Sequence, residues 1–446
     1  MVAPEDGSRE RAVAKLQALV RIPTVSHPDP ADIDTASFDA FLAELAGQFP
    51  LVHDHLELTR IHTHGLLFRW PGVSDDRPLV LMAHLDVVPV EGEWTHPPFS
   101  GAVVDGQIWG RGTLDDKGSL VAICEAVETL LERGHVPAQD VWLSFGCDEE
   151  VFGVAAPLAV EELRRRGVRP WMVLDEGGAV ASEAFPGVGA PVGVVGVAEK
   201  GVTSFALRVE GPGGHASTPS RLGPTARLAR AITRLERSPM PARVPEPTIE
   251  LFRRLAAHAP GPLRPVMANA AKVRPVLARV LLAAGPEPAA LARTTFAVTT
   301  LSASPAINVL AATAKAGVNV RIAIGDSVAG VLEHVRRAVR DDQVHLDLLE
   351  AGEPTPVSPT DDPAFALLEQ TITAVFPDAV PAPYVLMAAT DSRHFAAICE
   401  RVYRFAPFRM TKAQRQSIHT VDEHLGVEAF LDGVDWYRLL IERLPA

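Results

Sequence analysis

Leu79 to Ala83 is an unbroken apolar run, and His84 and Asp86 follow it directly in P-L-V-L-M-A-H-L-D-V-V-P. A run with no polar interruption is the pattern of a strand buried on both faces, so the chain must build layers on either side of a sheet. Strand side chains repeat with period two, which aims His84 and Asp86 the same way. The pattern comes twice more, in V-W-L-S-F-G-C-D-E-E from Val141 and in W-M-V-L-D-E-G-G from Trp171. In open parallel sheets the chemistry lies beyond the carboxyl ends of the strands. One carboxylate at such a place is an ordinary helix cap. Three buried strands that deliver His, Asp and Glu to one edge predict a shared polar site.

Between these strands the spacing turns helical. Leu120, Ile123, Cys124, Val127, Leu130 and Leu131 predict a helix over 119–133, ended by Gly134, and put Asp115 and Asp116 just before its start. Further helices are predicted over 8–20 and 38–49. Strand and helix alternate up to Gly178, which predicts an α/β fold with a mostly parallel sheet and helices on both faces. From about Ala198 the order becomes strand, helix, strand, strand, helix, strand, a ferredoxin-like α+β sequence, with a Pro- and Arg-rich helical stretch over 239–291 inside it. The α/β texture returns after about Pro354. The expected organisation is therefore a first part over 1–197, an inserted unit over 198–352 and a second part over 353–446.

The formal net charge of −13 argues against nucleic acid or an anionic membrane surface as partner. Cys124, Cys147 and Cys399 are odd in number and far apart, which fits a reducing compartment without a disulfide framework. The opening M-V-A-P-E-D-G-S-R-E lacks the layout of a signal peptide, and Arg279 interrupts the greasiest run, so a cytoplasmic location is expected. His53, His55, His62 and His64 look like metal motifs. We read them as decoys, because the apolar run Leu66–Trp70 places the second pair at a strand's amino end, away from the expected site. The Gly-rich piece 187–196 lacks dinucleotide-loop spacing.

In this order the motifs H-L-D-V-V-P-V-E, P-P-F-S-G, D-G-Q-I-W-G-R-G-T-L-D-D-K-G and D-E-E resemble the co-catalytic zinc family of aminoacylases, deacylases and glutamate carboxypeptidase. The branch of Gly-X carboxypeptidase and N-fatty-acyl-amino-acid hydrolases looks nearest. The resemblance implies that His84, Asp115, Glu150, Asp175 and His419 ligate two zinc ions per subunit, with Co2+ or Mn2+ as alternatives. It implies Asp115 as the bridge, Asp86 as the carboxylate orienting His84, and Glu149 as general base. It further implies that His215 reaches the active site of a partner subunit, so a homodimer through the inserted unit is expected. Asn308 and Arg321 match substrate-binding positions. On residues alone, Asp116 is interchangeable with Asp115 and Glu176 with Asp175, while His394 and His424 rival His419. His419 is favoured by the strand-like stretch read before it and by its spacing to Glu423. After D-E-E the chain reads V-F-G-V-A-A-P, where the nearest relatives usually carry a more glycine-rich run.

The chemistry fits. Imidazoles and carboxylates without thiolates suit zinc or a similar divalent ion. A guanidinium such as that of Arg321 grips a carboxylate with paired hydrogen bonds. The expected activity is hydrolysis of an amide bond, peptide or N-acyl, beside a free α-carboxylate of a small-molecule substrate. The alternative is a silent metal- or peptide-binding protein on the same scaffold, from which Glu149 distinguishes an enzyme. The apolar faces of 239–291 suggest a shelter for an acyl chain, or else a lid or dimer contact.

Overall fold

The computed structural model describes residues 6–185 and 187–446. The first five residues, on which the reading of the chain's opening partly rests, lie outside the described residues.

The His84 strand runs Ser74–His84 and is buried from Pro78 onward. Gln139–Gly146 and Met172–Asp175 flank it, both parallel to it, and Val402–Arg404 follows in parallel beyond the latter. Parallel neighbours need crossovers. Lys117–Glu132 and Ala155–Arg165 supply them. The three motif-bearing strands therefore end at the same edge. Leu79, Leu81 and Ala83 pack into one core with Leu120, Ile123 and Val127. Val80 and Met82 pack into another, on the opposite face, with Ala156, Ala159 and Leu163. Each such buried aliphatic side chain contributes roughly 1.5–3 kcal/mol, so this alternation pins the register that aims His84.

Away from the centre the ten-stranded sheet is mixed. Gly65–Trp70 lies antiparallel to Gln139–Gly146, with Glu57–Ile61 outside it. On the other side Val192–Glu199 pairs antiparallel with Ala179–Ala181 and parallel with Val380–Leu386. The sequence reading missed Val380–Leu386, because Pro381 and Pro383 interrupt it. It pairs with Val192–Glu199 alone, and an edge strand tolerates proline.

A second sheet holds Thr295–Ser302, Thr313–Ile322, Gly201–Glu210 and His345–Ala351, in that spatial order and all antiparallel. Helices Pro224–Glu236 and Val328–Val339 cover one face, where Phe205, Leu207, Val318 and Val320 meet Leu228, Val331 and Val335. This is the ferredoxin-like order.

The stretch over 239–291 behaves differently from its expected membership of the inserted unit. It forms Glu246–Leu255, Arg264–Ala268, Arg274–Ala283 and Pro286–Ala290. Their apolar side chains, Leu251, Leu255, Met267, Leu277 and Leu281, share a core with Val192 and Ala382 of the large sheet. Periodicity marks a helix's apolar face but not which body that face will meet. The face offered as an acyl shelter is thus occupied by the sheet.

The chain passes between the two sheets four times, and the passages meet. Lys200, the one residue between the adjoining strands, donates from Nζ to the Arg293 carbonyl at 2.8 Å. The Arg243 N–H donates to the Ala292 carbonyl at 2.6 Å, and the Thr355 N–H to the Glu199 carbonyl at 3.1 Å. Among the described residues no helix is long and apolar enough to cross a membrane.

Candidate metal centre

His84 is the last residue of its strand and is buried. Its Nε2 lies 3.0 Å from Asp115 Oδ1. The other carboxylate oxygen of Asp115 lies 2.9 Å from His419 Nε2, which is in turn 3.0 Å from Glu150 Oε2. Asp115 therefore stands between two imidazoles, one oxygen to each. Asp116 makes neither contact, and burial lifts its carboxyl well above the usual range. Behind His84, Nδ1 lies 3.0 Å from the Asp86 carbonyl oxygen and 3.5 Å from its carboxylate. That carboxylate accepts the backbone N–H groups of Glu149 at 3.2 Å and Glu150 at 3.1 Å. Asp86 so joins the His84 strand to the D-E-E turn.

Of the two carboxylates that the residues alone leave interchangeable here, Glu176 lies toward His84, with Oε1 3.7 Å from Nε2. Asp175 is the last residue of its strand, and its carboxylate accepts the Ser392 N–H at 2.9 Å. Strand alternation stops there and does not separate the two carboxylates, and Gly177 at φ 102° turns the chain directly after Glu176. Donor atoms of His84, Glu149 and Glu176 lie within 4.8 Å of one another, as do those of His84, Asp115 and Glu150. The Glu149 carboxylate is buried and has no hydrogen-bond partner among the described residues.

The electrostatics are those of a site short of positive charge. Burial pushes Glu176 up to about 8, with Asp115 adding to the rise. Burial also lifts Glu149 well above the carboxylate range. Asp115 goes the other way: burial works against its charge, but the hydrogen bonds to His419 and His84 outweigh it and hold the carboxyl low. His419 is raised to about 10 by its hydrogen bonds to Asp115 and then Glu150. Glu150 Oε1 is buried without a partner. A cluster of four carboxylates and two imidazoles with an orphaned oxygen fits divalent cations of the zinc type.

The remaining histidines stay outside. His394 is held down to about 4 by burial, and His424 stacks on Trp109 with ring centroids 4.3 Å apart. His62 comes no nearer than 4.0 Å to Asp148, and His64 pairs with Asp39. These two nevertheless lie at the end of the sheet that bears the site, not away from it as expected. Gly65–Trp70 runs antiparallel to Gln139–Gly146, so its amino end lies at the site edge, Leu66 opposite Phe145. His419 follows helix Lys412–Ser417 and not a strand. Burial pushes the Cys147 thiol up to about 12, which suits an inert packing residue.

The residues expected to contact substrate lie on the small sheet. His215 is exposed on a two-residue strand opposite Val309, its Nδ1 2.7 Å from Ser217 Oγ. Asn308 is beside it, its carbonyl accepting the Ala216 N–H at 3.1 Å. Arg321 is apart from both, opposite Val202 near the chain passages, partly buried and, among the described residues, without an ion-pair partner. Within this one chain none of the three touches the His84 cluster.

Sequence reasoning missed the parts that hold the cluster in place. Glu423 accepts the backbone N–H groups of Gly112, Leu114 and Asp115 and pairs with Arg111. The H-x-x-x-E spacing was its only signal. Glu199 pairs with Arg404, both buried, and accepts from Thr390 at 2.7 Å. No motif marked either.

Residues 80–443 match the model of peptidase family M20/M25/M40. The chain belongs to this family. Its members depend on metal and hydrolyse amide bonds, and this chain is such a hydrolase. Among relatives, a probable carboxypeptidase S-like protein of Dictyostelium discoideum is 37% identical over 88% of this chain and 77% of its own length. An N-fatty-acyl-amino acid synthase/hydrolase of Xenopus tropicalis is 37% identical over 97% of this chain and 86% of its own. The fold matches an M20 family metallo-carboxypeptidase from Sulfolobus solfataricus at TM-score 0.73, with 16% identity, over 97% of this chain and 98% of that one.

Proposed function

We propose that this M20/M25/M40 chain is a dinuclear zinc hydrolase that cleaves a peptide or N-acyl amide bond beside a free α-carboxylate. The observation that carries this reading is Asp115, with one oxygen toward His84 and the other toward His419. That is the arrangement of a carboxylate shared by two cations. His84 and Glu176 would hold one, Glu150 and His419 the other. Two cations bound there supply Lewis acidity toward the scissile carbonyl and lower the pKa of a water.

The protein's own groups do the rest. Glu149, buried beside the ligands and free of hydrogen bonds, takes the water's proton and returns it to the leaving amine. Asp86 fixes the His84 ring and the Glu149–Glu150 backbone together. Among the described residues no carboxylate is ion-paired with Arg321, which leaves its fork for the substrate's α-carboxylate. His215 and Asn308 sit together on an exposed ribbon. In a homodimer through the small sheet they would reach the partner's centre, where His215 stabilises the tetrahedral oxyanion. The relatives' names support both carboxypeptidase and N-acyl-amino-acid hydrolase activity. Three free, buried cysteines support a cytoplasmic location.

The test is chelation, restoration with zinc, and assay on a panel of dipeptides and N-acyl amino acids, with Glu149→Ala in parallel. The expected result is zinc-restored cleavage that Glu149→Ala abolishes while binding the same amount of zinc. Cleavage that survives in Glu149→Ala would assign the base elsewhere. A protein that binds no zinc would end the reading.

A further inference from the structure

From Leu251 to Pro286 the chain holds no Asp or Glu but six cations, Arg253, Arg254, Arg264, Lys272, Arg274 and Arg279, in a protein whose net charge is −13. Three of the six are engaged. Arg253 and Arg254 pair with Glu250, Arg254 also with Glu369, and Arg274 pairs with Glu246. Arg264, Lys272 and Arg279 are exposed and have no ion-pair partner among the described residues.

The same stretch also exposes apolar side chains. Leu263 is 41% exposed, Val276 51% and Val280 49%. Helices Arg264–Ala268 and Arg274–Ala283 bury Met267, Leu277 and Leu281 in the core shared with the large sheet, so their other stripes face away from the protein. Val276 and Val280 are one turn apart on such a stripe, and Arg279 is beside them. Exposed aliphatic side chains interspersed along the chain with unpaired cations, on short helices whose other side chains pack on the large sheet, are the makings of an interfacial membrane contact. The total charge, which argued against a membrane, does not describe this face. Charges farther off than a Debye length of about 8 Å are screened.

We propose that the helical stretch 251–286 docks this protein on an anionic lipid surface, with Leu263, Val276 and Val280 entering the headgroup layer and Arg264, Lys272 and Arg279 on the lipid charges. The contact is reversible, because so few apolar side chains enter. It is also independent of the chemistry at the His84 cluster.

The test is co-sedimentation of the full chain with vesicles of phosphatidylcholine alone and of phosphatidylcholine mixed equally with phosphatidylglycerol, at low and high salt. Binding to the mixed vesicles only, weakened by salt, is expected. The variant Arg264→Glu/Lys272→Glu/Arg279→Glu should bind at least roughly a hundredfold more weakly, since each cation near an anionic surface contributes about a factor of five. Val276→Ser/Val280→Ser should also bind more weakly. All the substituted side chains are exposed, so both variants should keep the wild-type Tm and zinc content. Equal binding to both vesicle types, no binding at low salt, or undiminished binding by the charge-reversed variant would overturn the proposal.

Discussion

Arg111 and Glu423 meet at 2.6 Å with both side chains out of water, and the same carboxylate accepts the backbone N–H groups of Gly112, Leu114 and Asp115 in the turn that delivers Asp115. Glu423 lies four residues beyond His419, so one side chain ties together the turns bearing two of the proposed ligands. Glu423→Leu would leave the Arg111 charge buried and alone, at a cost of about 3–5 kcal/mol. Zinc affinity should fall roughly 10–100-fold. Urea titration and competition with a chelator measure the two effects. A folded Glu423→Leu protein with unchanged zinc affinity would show that the turn needs no such tie.

Gly118 opens the helix behind the same turn. A Cβ there would stand 2.2 Å from the Thr113 carbonyl oxygen and 3.3 Å from Leu425. Both neighbours are fixed, the first by backbone and the second by packing. Gly118→Ala should destabilise the protein by about 1–3 kcal/mol, the usual cost of overpacking, and should depress hydrolysis by displacing Asp115. Calorimetry with a parallel activity assay checks this. An unaltered Tm would mean that the turn yields more easily than its hydrogen bonds suggest.

Glu199 and Arg404 form another buried ion pair, at 2.6 Å, and Glu199 also accepts from the Thr390 hydroxyl and backbone N–H. Through Ser392 this loop reaches the Asp175 carboxylate. Arg404→Leu should cost about 3–5 kcal/mol because the carboxylate loses its charge partner. The double variant Glu199→Leu/Arg404→Leu should be less damaged than Arg404→Leu alone. Denaturant titration of the three proteins decides it; a double variant weaker than the single one would mean that the hydrogen bonds, not the charges, carry the stability.

His394 gives the molecule an acid sensitivity of its own. Burial, then the Arg393 charge, lowers its pKa to about 4, against about 6.5 in an unfolded chain. Between those values the unfolded chain binds the extra proton and the folded protein does not. Stability should therefore fall as pH drops from about 6.5 toward 4. Urea midpoints of the wild type at about pH 7 and about pH 5 should differ by more than those of His394→Leu. Equal shifts would assign the acid sensitivity to other groups.

The parts of this molecule legible in the sequence are those written in short-range patterns. The run Leu79–Ala83 gave a doubly buried strand because nothing polar interrupts it, and Gln139–Gly146 and Met172–Asp175 declared themselves the same way. The strand Val380–Leu386 did not, since its prolines hide an edge position that only three-dimensional pairing reveals. Asp175 and Glu176 were inseparable because a period of two means nothing past the residue where a strand ends. The Glu199–Arg404 pair joins positions 205 residues apart, and no local pattern carries such a contact. The helices over 239–291 were visible as helices, but their packing partner was not.

The four chain passages around Lys200, Arg243, Arg293 and Thr355 give the molecule a waist. A rotation about such a place would make the strand Gly201–Glu210 its arm. Ten residues of strand extend about 30 Å at roughly 3.3 Å each. A turn of about 10° at the waist therefore carries the far end by about 5 Å on that length. Arg321, near the pivot, would scarcely shift, while His215 and Asn308, at the tip, would sweep through the whole arc. The same small rotation can thus keep one end of a substrate anchored while bringing the other group into or out of reach.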